Sequence, residues 1–306
     1  MERLAILKIS VFVAASYIIA FVLDFTAASF KLFTYPWGPS VWGFMRMWSV
    51  AGSAVLCSTI FREGVSTLFK QYIKVSKRAI LYYFASPLIV YGALALYILV
   101  ALPLNLFNFS VYVEVIADVL RSTLTSLSEE QILSLATISA YSQILAAYLS
   151  AVTINAFFAL GEEIGWRGYI YRVLGSKPNL YSTVAVGILW GLWHSPAILL
   201  LGYNYSINRV LGVALFTLCT IALSYPHLIV TTVTGSVLPA SSLHGAVNAL
   251  WGLTIIASDL PMELKEVWLG LGLLGIAAWT TTSVILYALS RWRCFQGSGA
   301  TLYMLF

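Results

Sequence analysis

Three short stretches of this chain place ionisable and amide side chains inside long apolar runs. Each stretch pairs such a residue with a polar or aromatic residue four positions away, and residues at that spacing share one face of a helix. The stretches are "GEEIGWRG" at 161–168, "LWGLWHSP" at 189–196 and "SLHGAVNAL" at 242–250. Their pairs are Glu163 with Arg167, Trp190 with His194, and His244 with Asn248.

The chemistry that these side chains predict is hydrolysis by an activated water. Adjacent helical residues point about 100° apart, so Glu162 faces away from the ion pair that its neighbour makes. A partly desolvated carboxyl can then take a proton from water as a general base, and His194 can hydrogen-bond the same water. His244 and Asn248 present two donors from one helix face, which suits the oxyanion formed when a carbonyl is attacked. The set predicts cleavage of a peptide bond, with Glu163 and Arg167 as a supporting ion pair.

Other residues of reactive type have no predicted function. A single histidine in a helical bundle is more often a hydrogen-bonded core residue than a catalyst, and His227, beside Pro226 in a predicted turn, is given that role. The three cysteines, Cys57, Cys219 and Cys294, show no metal-ligand or disulfide spacing. Neither a bound metal nor another cofactor is predicted.

The composition predicts an integral membrane protein. Of 306 residues, 60% are hydrophobic and 9% charged, against about 45–50% apolar and about 25% charged in soluble domains. The apolar runs reach the roughly 20 residues that a membrane-spanning helix needs. We therefore expect an all-α, polytopic transmembrane bundle of about eight spans, forming a single domain over 1–306 with a catalytic core at about 150–255. The predicted spans are 4–23, 41–60, 80–102, 132–160, 180–202, 209–225, 236–257 and 267–290.

The basic residues predict the orientation, because cytoplasmic loops are rich in lysine and arginine. The segment 61–79 carries five of them. With eight spans, the loop 161–179 and both termini, including Arg293, join it on the cytoplasmic side. Most acidic residues, among them Asp24 and Glu266, then fall in loops on the other side. We expect a multi-pass protein, in the plasma membrane if the source is prokaryotic, with a cytoplasm-facing cavity. Because the basic residues are explained in this way, the net charge of +5 does not indicate a nucleic-acid partner.

The three motifs together resemble the CAAX-processing and bacteriocin-immunity (CPBP, or Abi) intramembrane proteases, also called type II CAAX endopeptidases. The family pattern EExxxR, then F-or-WxxxH, then HxxxN is matched in order by the three stretches. The likeness covers roughly 150–255, and its one mild departure is Trp190 where phenylalanine is commoner.

The resemblance implies roles for the matching residues. Glu162 and His194 would activate the water, His244 and Asn248 would form the oxyanion hole, and the Glu163–Arg167 pair would support the site. No metal is required in this scheme, although a Glu/His/His set can imitate a zinc site, so zinc is the alternative cofactor.

The resemblance also implies the partners, which are membrane lipid and a protein or peptide substrate, prenylated in eukaryotic members. The chain's own tail, "GSGATLYMLF", is not a CAAX signal. Two other classes remain open. One is a transporter or proton-coupled permease that uses the same polar residues, which often mark relays in membranes, and the other is a catalytically inactive scaffold.

Overall fold

The computed structural model describes the backbone of residues 2–296 and the side chains of residues 3–291. The side chains of Arg293 and Cys294 and the tail at 297–306 lie outside these ranges, and so does the predicted cytoplasmic C-terminus. Within the described residues the secondary structure is helical and contains no strand. The predicted all-α fold class is therefore confirmed.

Fifteen α-helices are defined in the described part of the chain, with a short 3₁₀ turn at Leu32–Thr34 and π-helices at Ile164–Ile170 and Ala197–Leu201. They are α1 (Glu2–Ser29), α2 (Gly38–Ile60), α3 (Val65–Tyr72), α4 (Lys77–Ala85), α5 (Pro87–Ala101), α6 (Phe109–Thr123), α7 (Glu129–Ala151), α8 (Ile154–Glu163), α9 (Tyr171–Val173), α10 (Leu180–Trp193), α11 (Arg209–Thr234), α12 (Leu238–Leu250), α13 (Leu253–Ile256), α14 (Met262–Trp268) and α15 (Leu273–Gln296).

Six segments of the described chain are long and apolar enough to cross a membrane, fewer than the eight predicted. They are Arg3–Ser29, Lys77–Ala101, Glu129–Ala151, Leu180–Leu201, Arg209–Thr234 and Met262–Arg291. The two remaining predicted spans are helical but are not among these six membrane-crossing segments. One is α2, which carries Arg46 in its middle, and the other is divided between α12 and α13 by a turn at 251–252. The predicted span 132–160 is also broken, because α7 ends at Ala151 and α8 begins at Ile154.

Contacts between distant segments define two ends of the bundle. At the first, which we call the basic end, Lys8 pairs with Glu63 at 2.6 Å, and the Val237 N–H donates to the Tyr72 carbonyl. At the opposite end the Asn108 N–H donates to the Ala257 carbonyl at 2.8 Å. The segments 77–101 and 238–256 therefore both run from the basic end to the opposite end. The basic end carries the lysines and arginines of segment 61–79.

Helix α11 continues through Pro226, where the sequence predicts a turn. Proline lacks an N–H, so the carbonyl four residues earlier loses its helical partner. That carbonyl belongs to Ala222, and it accepts a hydrogen bond from the Ser283 hydroxyl of α15 at 2.6 Å. A side chain from a neighbouring helix thus restores the lost bond, as is common within membranes. The predicted end of this span at 225 is wrong, and α11 extends to Thr234.

Glycines allow the helices that carry the motifs to approach closely. A Cβ on Gly161 of α8 would lie 2.7 Å from the Met47 carbonyl oxygen of α2. A Cβ on Gly245 of α12 would lie 2.8 Å from the Ala151 carbonyl oxygen. Both distances are too short for a methyl group against fixed backbone, so larger residues would separate α8 from α2 and α12 from α7.

Two acidic residues that were predicted to lie in loops are buried. Part of one predicted loop is also buried, as a helix. Asp24 lies within α1 and pairs with Arg46 at 2.9 Å. Glu266 of α14 accepts hydrogen bonds from the backbone N–H groups of Ile207 and Asn208, the latter at 2.7 Å. In the segment 161–179, residues 161–171 are buried helix. Charge sorting misplaced these residues because it does not consider partners inside the protein.

Candidate active site

The first motif lies where α8 changes its winding. Glu162 and Glu163 end α8, and Arg167 follows within the π-helix Ile164–Ile170. π-Helical segments have a wider i→i+5 turn and often occur at functional sites. Every residue from 161 to 171 is buried, so this cluster of charges faces the protein interior. The first part of the predicted loop 161–179 is therefore buried helix.

Glu162 is held by an indole from the second motif. The Trp190 Nε1–H donates to the Glu162 Oε2 at 2.6 Å, and the carboxyl is almost completely buried. A phenylalanine, which is commoner at this position in the family that the motifs resemble, has no such donor. The departure at Trp190 therefore supplies a hydrogen bond to the predicted base.

His194 follows the last residue of α10, and its tautomer is determined by a backbone contact. Its Nδ1 lies 2.9 Å from the Trp190 carbonyl oxygen, which can only accept. Nδ1 therefore carries the proton, and the Nε2 of the neutral ring is left as an acceptor. An imidazole in this tautomer can accept a hydrogen bond from a water, as the predicted mechanism needs.

The second glutamate joins the first motif to the third. The Arg167 Nη1 donates to the Glu163 Oε1 at 3.0 Å, and the His244 Nδ1 donates to the same oxygen at 2.8 Å. Both side chains of the ion pair are fully buried. The Nε2 of His244 is then the ring nitrogen that can face the cavity, and an N–H there would need the doubly protonated ring. Glu163 thus orients His244 in addition to pairing with Arg167.

One cavity, of about 240 Å³, brings the four predicted catalytic residues together. Its wall includes Glu162, His194, His244 and Asn248. The supporting residues Glu163 and Arg167 are not among its lining residues. The arrangement thus separates the two adjacent glutamates, one on the cavity wall and one behind it.

His227, which contacts this site from α11, was not predicted as a site residue. Its ring centroid lies 5.8 Å from those of both Trp190 and His244, and its Nδ1 lies 2.7 Å from the Leu223 carbonyl oxygen. The signal for it was the apolar run "LIVTTV" after Pro226, which indicates that the helix continues.

Arg46, which lines the cavity, and Asp24, which pairs with it, were also missed in the sequence. The Arg46 Nε donates to both Asp24 oxygens, at 2.9 and 3.1 Å, and Nη2 donates to the Trp193 carbonyl at 2.9 Å. The guanidinium also lies 3.8 Å from the centre of the Trp193 ring. The signal was a single arginine in the apolar run 41–60, since an ionisable residue within a membrane is a functional candidate by default.

Among the described residues, Glu163, His227 and His244 form a group with spacing suitable for a metal ion. Their ligand atoms lie within 4.8 Å of one another, and two histidines with a glutamate are a known zinc set. However, the Glu163 Oε1 already accepts bonds from Arg167 and His244. A divalent cation there would compete with a guanidinium for the same carboxylate. The Glu163 Oε2 and the His227 Nε2 make no hydrogen bond among the described residues, so zinc stays the alternative cofactor of the prediction.

The cavity does not open at the basic end. Helix α11 finishes just before Val237, so the loop 202–208 that precedes it lies at the opposite end. The exposed lining residues are Asn204 in that loop, with Asn248 and Gly252. A cytoplasmic basic end and a cytoplasm-facing cavity therefore cannot both be correct. The mouth and the basic segment 61–79 lie at different ends of the bundle.

Comparison with known proteins supports the same region of the chain. Residues 142–250, about a third of the chain, match the family described as "Type II CAAX prenyl endopeptidase Rce1-like". The chain is also 44% identical over 48 residues to CAAX prenyl protease 2 of Methanococcus maripaludis. That alignment spans 15% of this chain and 18% of the relative. No solved structure matches. The resemblance that the motifs predicted is therefore confirmed for residues 142–250, which include all six predicted site residues.

Proposed function

We propose that this protein is an intramembrane endopeptidase that cleaves a membrane-associated protein with a water activated by Glu162 and His194. The observation that carries the proposal is that two adjacent glutamates have different surroundings. Glu162 lies on the wall of a cavity shared with His194, His244 and Asn248, whereas Glu163 bonds Arg167 and His244 behind that wall. This arrangement leaves one carboxyl for proton transfer and fixes one donor for the oxyanion.

The reaction begins with a water held between the Glu162 carboxylate and the His194 Nε2. Glu162 takes a proton while the water oxygen forms a bond to the scissile carbonyl carbon. The oxyanion that results accepts hydrogen bonds from the His244 Nε2–H and the Asn248 side-chain amide. The C–N bond then breaks, and the leaving amine takes the proton from Glu162. The carboxylate is thereby regenerated, and no oxidant or further reactant is consumed.

The test of this function is cleavage of a fluorogenic reporter peptide by the purified protein in detergent or nanodiscs. We expect turnover that survives a metal chelator, because the proposed chemistry uses only side chains of this chain. Stoichiometric zinc in the purified protein, together with activity lost to chelator and restored by zinc, would overturn the metal-free mechanism. Uptake of a solute without peptide cleavage would instead support the transporter alternative.

Asn248→Ala should reduce the rate of cleavage without abolishing it. Losing one oxyanion donor typically costs about 10²–10³-fold in kcat, and His244 remains as the second donor. KM should change little, because the bond strengthens only as the oxyanion forms. Asn248→Asp is the matched variant, since it keeps the size but replaces an N–H donor with an acceptor. An unchanged kcat in the alanine variant would exclude Asn248 from the oxyanion hole.

The proposed substrate is the C-terminal region of a lipid-modified or otherwise membrane-associated protein. The support is the match of residues 142–250 to the Rce1-like family and the name of the Methanococcus maripaludis relative, a CAAX prenyl protease. Lipidated and unmodified versions of one peptide separate the two kinds of substrate. Equal rates of cleavage in detergent would remove lipid recognition and leave the peptidase function intact.

We further propose that the basic end faces the cytoplasm, because cytoplasmic loops favour lysine and arginine and segment 61–79 carries five of them. The cavity mouth then faces the other side of the membrane, which replaces the predicted cytoplasm-facing cavity. In intact cells, a membrane-impermeant maleimide should label Asn204→Cys, whereas Lys74→Cys should react only after permeabilisation. The reverse pattern would turn the mouth to the cytoplasm.

A further inference from the structure

Arg46 is a charged residue on the wall of the candidate active site, contributed by a helix outside the family-matched region. We propose that Arg46 binds the terminal carboxylate of the substrate and thereby selects a cleavage site near the C-terminus. This inference rests on the proposed peptidase function and specifies its substrate.

The hydrogen bonds of Arg46 leave part of its guanidinium for a ligand. Arg46 is 3% exposed and lines the same cavity as Glu162 and His194. Its Nε bonds Asp24 and its Nη2 bonds the Trp193 carbonyl. Within the part of the chain that the structure describes, the Arg46 Nη1 donates no hydrogen bond to another residue. Arginine has five donors in a planar fork suited to carboxylates, so an acceptor in the cavity can use the remaining edge.

The Asp24–Arg46 pair explains how the charge of the guanidinium is balanced when no substrate is bound. An unpaired ionisable group within a membrane protein is expensive, and Asp24 balances the charge from α1 at 2.9 Å. One guanidinium can hold several acids, as Arg121 does with Glu114 and Asp118 on the surface. A substrate carboxylate therefore adds a partner to Arg46 without displacing Asp24.

The shape of the cavity favours a chain terminus over an internal segment. Its exposed lining residues are Asn204, Asn248 and Gly252, whereas Arg46, Glu162 and His194 are buried. A peptide enters from the exposed side and meets a closed wall that carries a cation. A carboxyl terminus fills such a site with its charge paired, whereas an amino terminus would oppose a like charge.

The experiment compares two reporter peptides that differ only at the last atoms, a free carboxylate or a carboxamide. Charged hydrogen bonds are worth roughly twice neutral ones, and we expect the wild-type protein to prefer the acid by about 10- to 100-fold in kcat/KM. In the double variant Asp24→Asn/Arg46→Gln, which keeps a polar pair without charge, the preference should disappear. Asp24→Asn alone keeps Arg46 and is the matched control, so it should keep the preference for the acid.

Binding gives a second readout that does not need turnover. Glu162→Gln protein, with or without the double substitution, is titrated with each peptide while tryptophan fluorescence is followed, since Trp42 and Trp193 contact Arg46. Tighter binding of the acid that depends on Arg46 supports the inference, even if the peptidase function fails. Equal cleavage of acid and amide by the wild-type protein overturns the inference and leaves the peptidase intact. An equal loss for both peptides in the double variant also overturns it, because Arg46 would then only position Trp193 and His194.

Discussion

Glu162→Gln should abolish measurable cleavage and leave the protein folded. The substitution keeps the shape of the side chain, and the amide oxygen can still accept the Trp190 Nε1–H bond seen at 2.6 Å. It removes the group that takes the proton, and a positioned general base typically contributes about 10²–10⁴-fold. Initial rates with the reporter peptide, together with thermal unfolding in the same detergent, measure the two effects separately.

Glu263→Gln is the matched control for this experiment, because Glu263 is exposed on α14. The control should cleave at the wild-type rate. Wild-type turnover in the Glu162→Gln protein would show that Glu162 is not the base and would contradict the proposed mechanism. Loss of folding in that variant would contradict the prediction that its role is catalytic alone.

Arg167→Ala should lower both the folded yield and the activity. Removing one partner of a buried ion pair costs about 3–5 kcal/mol, and Arg167 and Glu163 are both fully buried. The change also removes the guanidinium that lies 4.1 Å from the centre of the Trp190 ring, and Trp190 bonds the catalytic glutamate. Thermal unfolding midpoints and yields after detergent extraction measure the loss.

Arg172→Ala tests whether the effect depends on burial, since Arg172 is exposed a little over one helical turn later. Its cost should stay within about 0.5 kcal/mol, as for most surface substitutions. Unchanged stability in Arg167→Ala would remove the structural role of the ion pair. Reduced activity with full stability would place Arg167 in catalysis through Glu163 and His244.

The local motifs could be predicted from the sequence because their spacing has a direct meaning on a helix. The four-residue interval between Glu163 and Arg167 corresponds to a contact of 3.0 Å. The Glu162 side chain points away from that ion pair because adjacent helical residues point about 100° apart. The family, the helical fold and the membrane character follow from the same motifs and from the apolar runs. What the motifs did not supply was the partner of each side chain from another helix.

The residues that were missed depend on contacts between distant helices. His227 was assigned to a turn because Pro226 ends most helices, but Ser283 on another helix restores the missing bond. Asp24 was assigned to a loop because its charge suggested solvent, but Arg46 pairs with it. The end at which the cavity opens depends on which loop lies beside which helix, and charge sorting carries no information on that. The position of the cavity mouth relative to the basic segment 61–79 follows only from the folded structure.

The close packing of Gly161 against α2 has a consequence for how this protein can be divided. A Cβ at Gly161 would lie 2.7 Å from the Met47 carbonyl oxygen, so α8 is fitted to a helix far outside the family-matched residues 142–250. That matched stretch is therefore not packed as a separate unit of folding. A minimal enzyme cut to its borders would lack one wall of its own active site. Any transplant or truncation has to begin before Asp24.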